Sequence, residues 1–244
     1  MMAARFDGRR IAVTGAGSGI GRATARRFCA EGAAVLGIDR DRSGLEETFA
    51  GYPKGTTAAV DVRSDDVLAA LDDYGPADVL VNAAGILRRA GVLEHSLTDW
   101  QDTLDVNLKA PFRLSRQFAH DHVARQAGGV IVNVCSIESF NAGNRHAAYT
   151  ASKTALLMLT RALAYDLAPY AIRVTGVAPG MTETGMNADI RADPTNSKRL
   201  TELVPLRRFG KPEEIAAGIC FLASDDAAYA TGTVILIDGG WHLY

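Results

Sequence analysis

The chain has 244 residues, 48% of them apolar, and a formal net charge of −2. This suits one α/β domain with a sizeable core and points away from nucleic acid or an anionic membrane as partner. No apolar run approaches the ~18 residues of a membrane span and MMAARFDGRRIAVTG holds no signal-peptide core, so a soluble, cytoplasmic protein acting on a small molecule is expected.

From the N-terminus, near-continuous apolar runs alternate with amphipathic ones. RIAVTG (10–15) reads as a strand, and VTGAGSGIGRA leads from it into a helix over 20–31. Glycines 15, 17, 19 and 21 let backbone approach a ligand closely, and the helix N-terminus behind them favours an anion, so the turn reads as a pyrophosphate cradle. The spacing G-x-G-x-x-G fails, because Ile20 stands where its third glycine belongs. Thr14, Gly15, Gly19 and Gly21 fit T-G-x-x-x-G-x-G instead, with Ser18 and Ile20 in the same cradle. A tight turn can use glycine for geometry alone, but the strand–turn–helix setting favours a dinucleotide.

AAVLGID (33–39) ends on Asp39, 24 residues after Gly15, near the ~20 at which an acid meets a ribose 2′-hydroxyl. A carboxylate there repels a 2′-phosphate and favours NAD over NADP; Arg40 and Arg42 are the opposing signal. A helix over 43–50 follows, then TAAVDV (57–62), whose Asp61-Val62 suit an adenine, and a short helix over 64–73. DVLVNAAG (78–85) carries Asn82, Ala83 and Gly85 toward the ribose, although Asn82 alone serves equally well to hold the strand. A long helix over 98–126 contains His120 and His122, which do not share a helix face and so do not read as metal ligands. Cys29, Cys135 and Cys220 fall in no ligand or disulfide spacing either; they read as small buried groups in a reducing compartment, and no metal is expected.

GVIVNVCS (129–136) ends on Ser136, and a helix over 149–168 opens with YTASK. Tyr149 and Lys153 are one helical turn apart on a common face. A lysine charge at ~4 Å is worth roughly 4 kcal/mol at an effective dielectric of ~20, enough to bring a phenol from about 10 to near 7 before burial pushes back. IRVTGVAPG (172–180) is the next strand; 181–207 is polar, proline-bearing and aperiodic, and reads as an insertion over the sheet edge. A helix over 211–223, with Pro212 in its first turn, precedes the last strand, TVILIDGG (233–240), and a Trp241–Tyr244 tail. No repeat or linker interrupts the alternation. It implies one domain over 1–244: a Rossmann-type, doubly wound, seven-stranded parallel sheet with helices on both faces.

The ordered set TGAGSGIG, Asp61-Val62, NAAG, Asn107 in DVNLKAPF, Ser136, YTASK and APGMTET resembles the short-chain dehydrogenase/reductase family from the first strand nearly to the C-terminus. Ser136 stands 13 residues before Tyr149, the family's usual interval. The resemblance implies that Tyr149 is the general acid/base toward the substrate oxygen and that Ser136 hydrogen-bonds the same oxygen. Lys153 would then hold the nicotinamide ribose, and Asn107 would position a water for proton relay. Pro179, Gly180, Thr182 and Thr184 resemble the segment that fixes the nicotinamide carboxamide, and a homotetramer built on the two long helices is implied.

Two departures are Ala83, where the family often has a second asparagine, and Thr175, where it commonly has one. Substrate choice is expected from 86–95, from the stretch after Ser136, and from 181–207. Glu138, Asn141, Asn144, Arg145 and His146 suit hydroxyls, and Arg145, Arg191, Arg88 or Arg89 a carboxylate, which favours a sugar acid, polyol or hydroxy acid. The competing expectations are an NADPH-dependent carbonyl or acyl-carrier-protein reductase, opposed by Asp39, and a non-catalytic dinucleotide sensor, which would not need the Ser136/Tyr149/Lys153 set.

Overall fold

Seven strands, β1 (Arg10–Thr14), β2 (Ala34–Asp39), β3 (Gly55–Ala59), β4 (Val79–Asn82), β5 (Gly129–Val134), β6 (Ile172–Pro179) and β7 (Val234–Ile237), pair in the order β3-β2-β1-β4-β5-β6-β7. Every pairing is parallel. The computed structural model describes residues 4–243, so Tyr244 of the expected tail lies outside the described residues. Each strand reads as apolar throughout because both sheet faces are covered. Ile11 and Val13 pack on one side with Phe28, Ile215 and Ile219, from α1 (Gly19–Ala30) and α9 (Pro212–Ala223). The intervening Ala12 packs on the other with Leu80, Leu114 and Phe118. The chain winds outward in both directions from β1, so the gap between β1 and β4 is the switch point where such sheets open a crevice at their carboxyl ends.

Helices α2 (Arg42–Phe49), α3 (Asp66–Tyr74) and α6 (Ala147–Leu167) fall where periodicity put them, and α3 is short as expected. The long helix between β4 and β5 is not uniform. It runs as α4 (Leu97–Leu104), a π-helical turn (Asp105–Lys109) and α5 (Ala110–Ala124). Pro111 in the first turn of α5 is the local cause: it has no N–H for the carbonyl four residues back, that of Asn107, and its ring crowds that carbonyl.

The aperiodic reading of 181–207 needs correction. The segment folds into α7 (Ala188–Ala192) and α8 (Pro194–Glu202), and the Asp193 carboxylate caps α8 by accepting from the Thr195 and Asn196 N–H groups. The Asp-Pro start was a readable cap signal. Strand ends are shorter than expected: β3 stops at Ala59 and β4 at Asn82, leaving Asp61-Val62 and 83–85 in loops at the carboxyl edge. All three cysteines are free, and burial pushes their thiols up, Cys220 to about 12.

Candidate active site

The carboxyl ends of the strands border a cavity of about 440 Å³. Its first wall is the turn after β1. Gly15 and Gly19 take left-handed φ values of +69° and +51°, and a Cβ on Gly21 would stand 2.1 Å from the Gly15 carbonyl oxygen, so only glycine lets the turn close. Ser18 is the N-cap of α1, yet its side chain makes no cap bond and the first turn carries no acid. With Ser18, Gly19, Ile20 and Gly21 lining the cavity, the first amides of α1 are left for an anion. This cradle fits a dinucleotide pyrophosphate.

The second wall is built from the ends of β2, β3 and β4. Asp39 accepts from the Gly17 and Asp41 N–H groups, both at 3.0 Å, and its carboxylate borders the cavity beside Arg40. Asp61 and Val62 line it as well; Arg63 grips Asp61 at 2.8 Å and holds its carboxyl below the usual range. Ala83 and Gly85 line the loop after β4, where the Thr14 hydroxyl accepts from the Ala83 and Ala84 N–H groups at 3.0 and 3.1 Å.

Asn82 does not join this wall. It is 2% exposed and donates to Asn133 Oδ1 at 2.8 Å and Ser115 Oγ at 3.3 Å, because β4–β5 register sets it opposite Asn133 inside the sheet. The expectation of a cofactor contact from its side chain is therefore corrected to a strand-holding one. Opposite, Pro179, Gly180, Thr182 and Thr184 border the cavity, held by a Thr182 Oγ bond to the Gly180 carbonyl and an Asn187 bond to the Thr182 carbonyl.

Ser136, Tyr149 and Lys153 meet at the cavity. Ser136 stands two residues past β5 and its hydroxyl accepts from the Glu138 N–H at 3.1 Å, opening a 3₁₀ turn (Ile137–Ser139) that packs on α6 through a 2.7 Å bond from Ser139 Oγ to the Lys153 carbonyl. Tyr149, on the first turn of α6, is half-buried. Lys153 is 4% exposed; its Nζ donates to the Val134 carbonyl at 2.7 Å and stands 5.8 Å from the Tyr149 ring centroid.

The expected acidified phenol is not what this arrangement produces by itself. Burial pushes the Tyr149 hydroxyl up to about 12, against the pull of the Ser136 hydroxyl, and burial lowers the Lys153 amine to about 8. Desolvation is the largest influence on both groups, and the Glu138 charge adds to the upward push on the phenol. By itself, therefore, the Tyr149 hydroxyl keeps its proton at neutral pH.

Asn107 sits in the π turn, fully buried and behind the cavity surface. Its Nδ2 donates to the Ile86 carbonyl (2.9 Å) and Ser152 Oγ (3.0 Å), and its Oδ1 accepts from the Ile86 N–H (2.9 Å). The amide is therefore spent on tying the loop after β4 to α6.

Of the substrate candidates, Glu138 and His146 line the cavity. Arg145 does not: its side chain is over half exposed and lies 3.7 Å from Glu94. Nor does Arg191, whose Nη2 is bonded to the Thr184 carbonyl in a smaller cleft beside Arg22 and Arg26. Both expectations of a carboxylate anchor in the cavity are corrected, since Arg145 lies beside Glu94 and Arg191 is held in the smaller cleft. Arg88 pairs with Asp99 outside the cavity, while Arg89 reaches it and pairs with Asp189 at 3.0 Å. Asn141 faces the tail through His242 at 3.0 Å, and Asn144 is exposed. Met181, Met186 and Ile190, which sequence reasoning passed over inside the aperiodic segment, form an apolar side of the cavity. His122 stacks on Phe118, and the described residues hold no metal-ligating cluster and no helix long and apolar enough to cross a membrane.

A family model described as enoyl-(acyl carrier protein) reductase matches residues 15–242. The chain is 38% identical to a 3beta-hydroxysteroid dehydrogenase of Eggerthella lenta, over 98% of this chain and 95% of that one. It is 34% identical to the 2-dehydro-3-deoxy-D-gluconate 5-dehydrogenase of Escherichia coli, over 97% and 96%. Among solved structures, a gluconate 5-dehydrogenase from Burkholderia cenocepacia in complex with NADP and tartrate superposes with a TM-score of 0.92 at 35% identity, covering 99% of this chain and 98% of that one.

Proposed function

The chain belongs to the short-chain dehydrogenase/reductase family, and on that premise we propose that it moves a hydride between NAD(H) and a secondary alcohol or ketone of a small polar substrate, a sugar acid, polyol or hydroxy acid. The observation that carries this reading is the meeting of Ser136, Tyr149 and Lys153 in one cavity with the glycine turn and Asp39. In the reducing direction the Tyr149 phenol donates its proton to the substrate oxygen while Ser136 bonds the same oxygen. In the oxidising direction Tyr149 takes that proton, which requires positive charge beside it. Lys153, whose amine is still charged at neutral pH, holds the nicotinamide ribose and supplies part of that charge. When bound, the dinucleotide supplies the hydride donor or acceptor.

Asn107 acts as a positioning residue through Ile86 and Ser152, and its carbonyl, which Pro111 cannot satisfy, is the group suited to hold a relay water. The segment 181–207, through Met181, Met186 and Ile190, serves as the substrate loop. The relatives that act on gluconate-type substrates and the polar groups of Glu138, His146 and Arg89 support a polyhydroxylated, acidic substrate. With Arg145 and Arg191 turned away, Arg89 becomes the carboxylate partner. A cytoplasmic homotetramer is the proposed setting; Phe112 on α5 and Met158 and Tyr165 on α6 are apolar side chains left in water that such an interface would cover.

Asp39 supports NAD. Changing Asp39→Asn removes its charge and is expected to lower the NAD-over-NADP ratio of kcat/KM about tenfold or more; an unchanged ratio would separate Asp39 from cofactor choice. The function itself is tested by following reduced-nicotinamide absorbance with both cofactors against sugar acids, polyols and 3-hydroxy acids. Turnover confined to acyl-carrier-protein substrates with NADPH would overturn the proposal.

A further inference from the structure

Glu138 and His146 form a built pair on the substrate side of the cavity. The Glu138 carboxylate is engaged at both oxygens: His146 Nδ1 lies 2.8 Å from Oε1, and Thr150 Oγ donates to Oε2 at 2.9 Å. A Cβ on Gly143 would come within 2.4 Å of that carboxylate, so glycine at this position leaves the carboxylate its place. Arg145, just before His146, is held at φ +61°, a left-handed conformation that costs a non-glycine residue, and its carbonyl accepts from the Ala90 N–H at 3.0 Å. Strained backbone, a bridge to the loop after β4 and a doubly anchored carboxylate all fix the same imidazole. An ordinary surface ion pair has none of these supports.

An ionised carboxylate can only accept, so the contact places a proton on His146 Nδ1, and in the neutral form of the ring Nε2 is then left as an acceptor. Among the described residues Nε2 makes no hydrogen bond, and the ring lines the cavity 6.3 Å from that of Tyr149 at 73°. An acceptor on that wall calls for a donor on the substrate, and Ser136 and Tyr149 already account for the reacting oxygen. We propose that His146 reads a second hydroxyl, on a carbon near the reacting one, and that Glu138 and Thr150 are positioning residues that fix the imidazole tautomer. The inference rests on the hydride-transfer reading. It narrows the substrate to a polyhydroxylated alcohol or hydroxyketone, and it gives Glu138 an indirect role.

Two measurements test it. Nitrogen-15 NMR of the histidines in the intact protein is expected to show His146 protonated at Nδ1 and bare at Nε2; the opposite tautomer would overturn the inference. In kinetics, His146→Leu is expected to lower kcat/KM for a vicinal diol, relative to a monohydroxylated secondary alcohol, about tenfold, chiefly through KM. Glu138→Ala lowers the same ratio, Glu138→Gln lowers it less because an acceptor oxygen remains, and Glu138→Ala with His146→Leu goes no lower than His146→Leu alone. An unchanged ratio in His146→Leu, or additive losses in the double variant, overturns the inference while leaving hydride transfer intact. A wild-type protein that oxidises or reduces nothing with either cofactor removes the hydride-transfer reading itself, and this one with it.

Discussion

Phenylalanine in place of Tyr149 is expected to lower kcat by about 10³–10⁴-fold, the upper range of what a positioned proton donor contributes, while NADH still binds. The ring that fills the wall beside Ser136 is retained, so neither the cavity nor α6 loses packing. What is lost is the hydroxyl, which burial pushes up to about 12 and which therefore holds its proton across the neutral range. Steady-state kinetics and a fluorescence titration of NADH separate the two effects. A variant that keeps most of its turnover would remove Tyr149 from the chemistry.

The second large effect is expected at Lys153, and it divides activity from stability. Lys153→Met should cost about 10²–10³-fold in kcat/KM, in line with removing a preorganised charge from a reacting centre, and should weaken NADH binding. Stability should also move with pH. Burial lowers the Lys153 amine from the ordinary 10.5 to about 8. Below pH 8 the amine is charged whether the chain is folded or not, and the folded protein carries the full cost of burying that charge. As pH rises from 8 to 10.5 the folded amine is already neutral while the unfolded one is still charged, so wild type should gain on the variant by about 3 kcal/mol across that window. At neutral pH the variant is spared that cost but leaves the Val134 carbonyl without its donor, an offset of about 1–3 kcal/mol. Urea unfolding of both proteins at several pH values checks this; parallel curves would mean that the amine is not desolvated.

How far the sequence could be read depended on whether a residue's direction follows from regular structure. The strands were legible because burial on both faces makes them apolar throughout, and Ser136, Tyr149 and Lys153 because a strand end and a helix turn determine where they point. Of the two roles open to Asn82, strand register favours the strand-holding one by turning its amide toward Asn133. Arg145 and Arg191 misled because their direction depends on local backbone, a left-handed residue in one case and an unrecognised helix in the other. Pro111 and the Asp193-Pro194 pair were signals in plain view, marking a widened turn and a helix start that hydrophobic periodicity alone does not reveal. The phenol departs from the value that charge attraction alone would give because burial is the larger effect here.

The most direct measurement follows one hydrogen. A sugar acid or polyol deuterated at its carbinol carbon is incubated with NAD and the protein, and the reduced cofactor is isolated and weighed by mass spectrometry. One deuterium per reduced nicotinamide with wild type, and essentially none formed with Tyr149→Phe, is the predicted result. A cofactor that binds the protein yet acquires no label from any member of the panel would contradict the account.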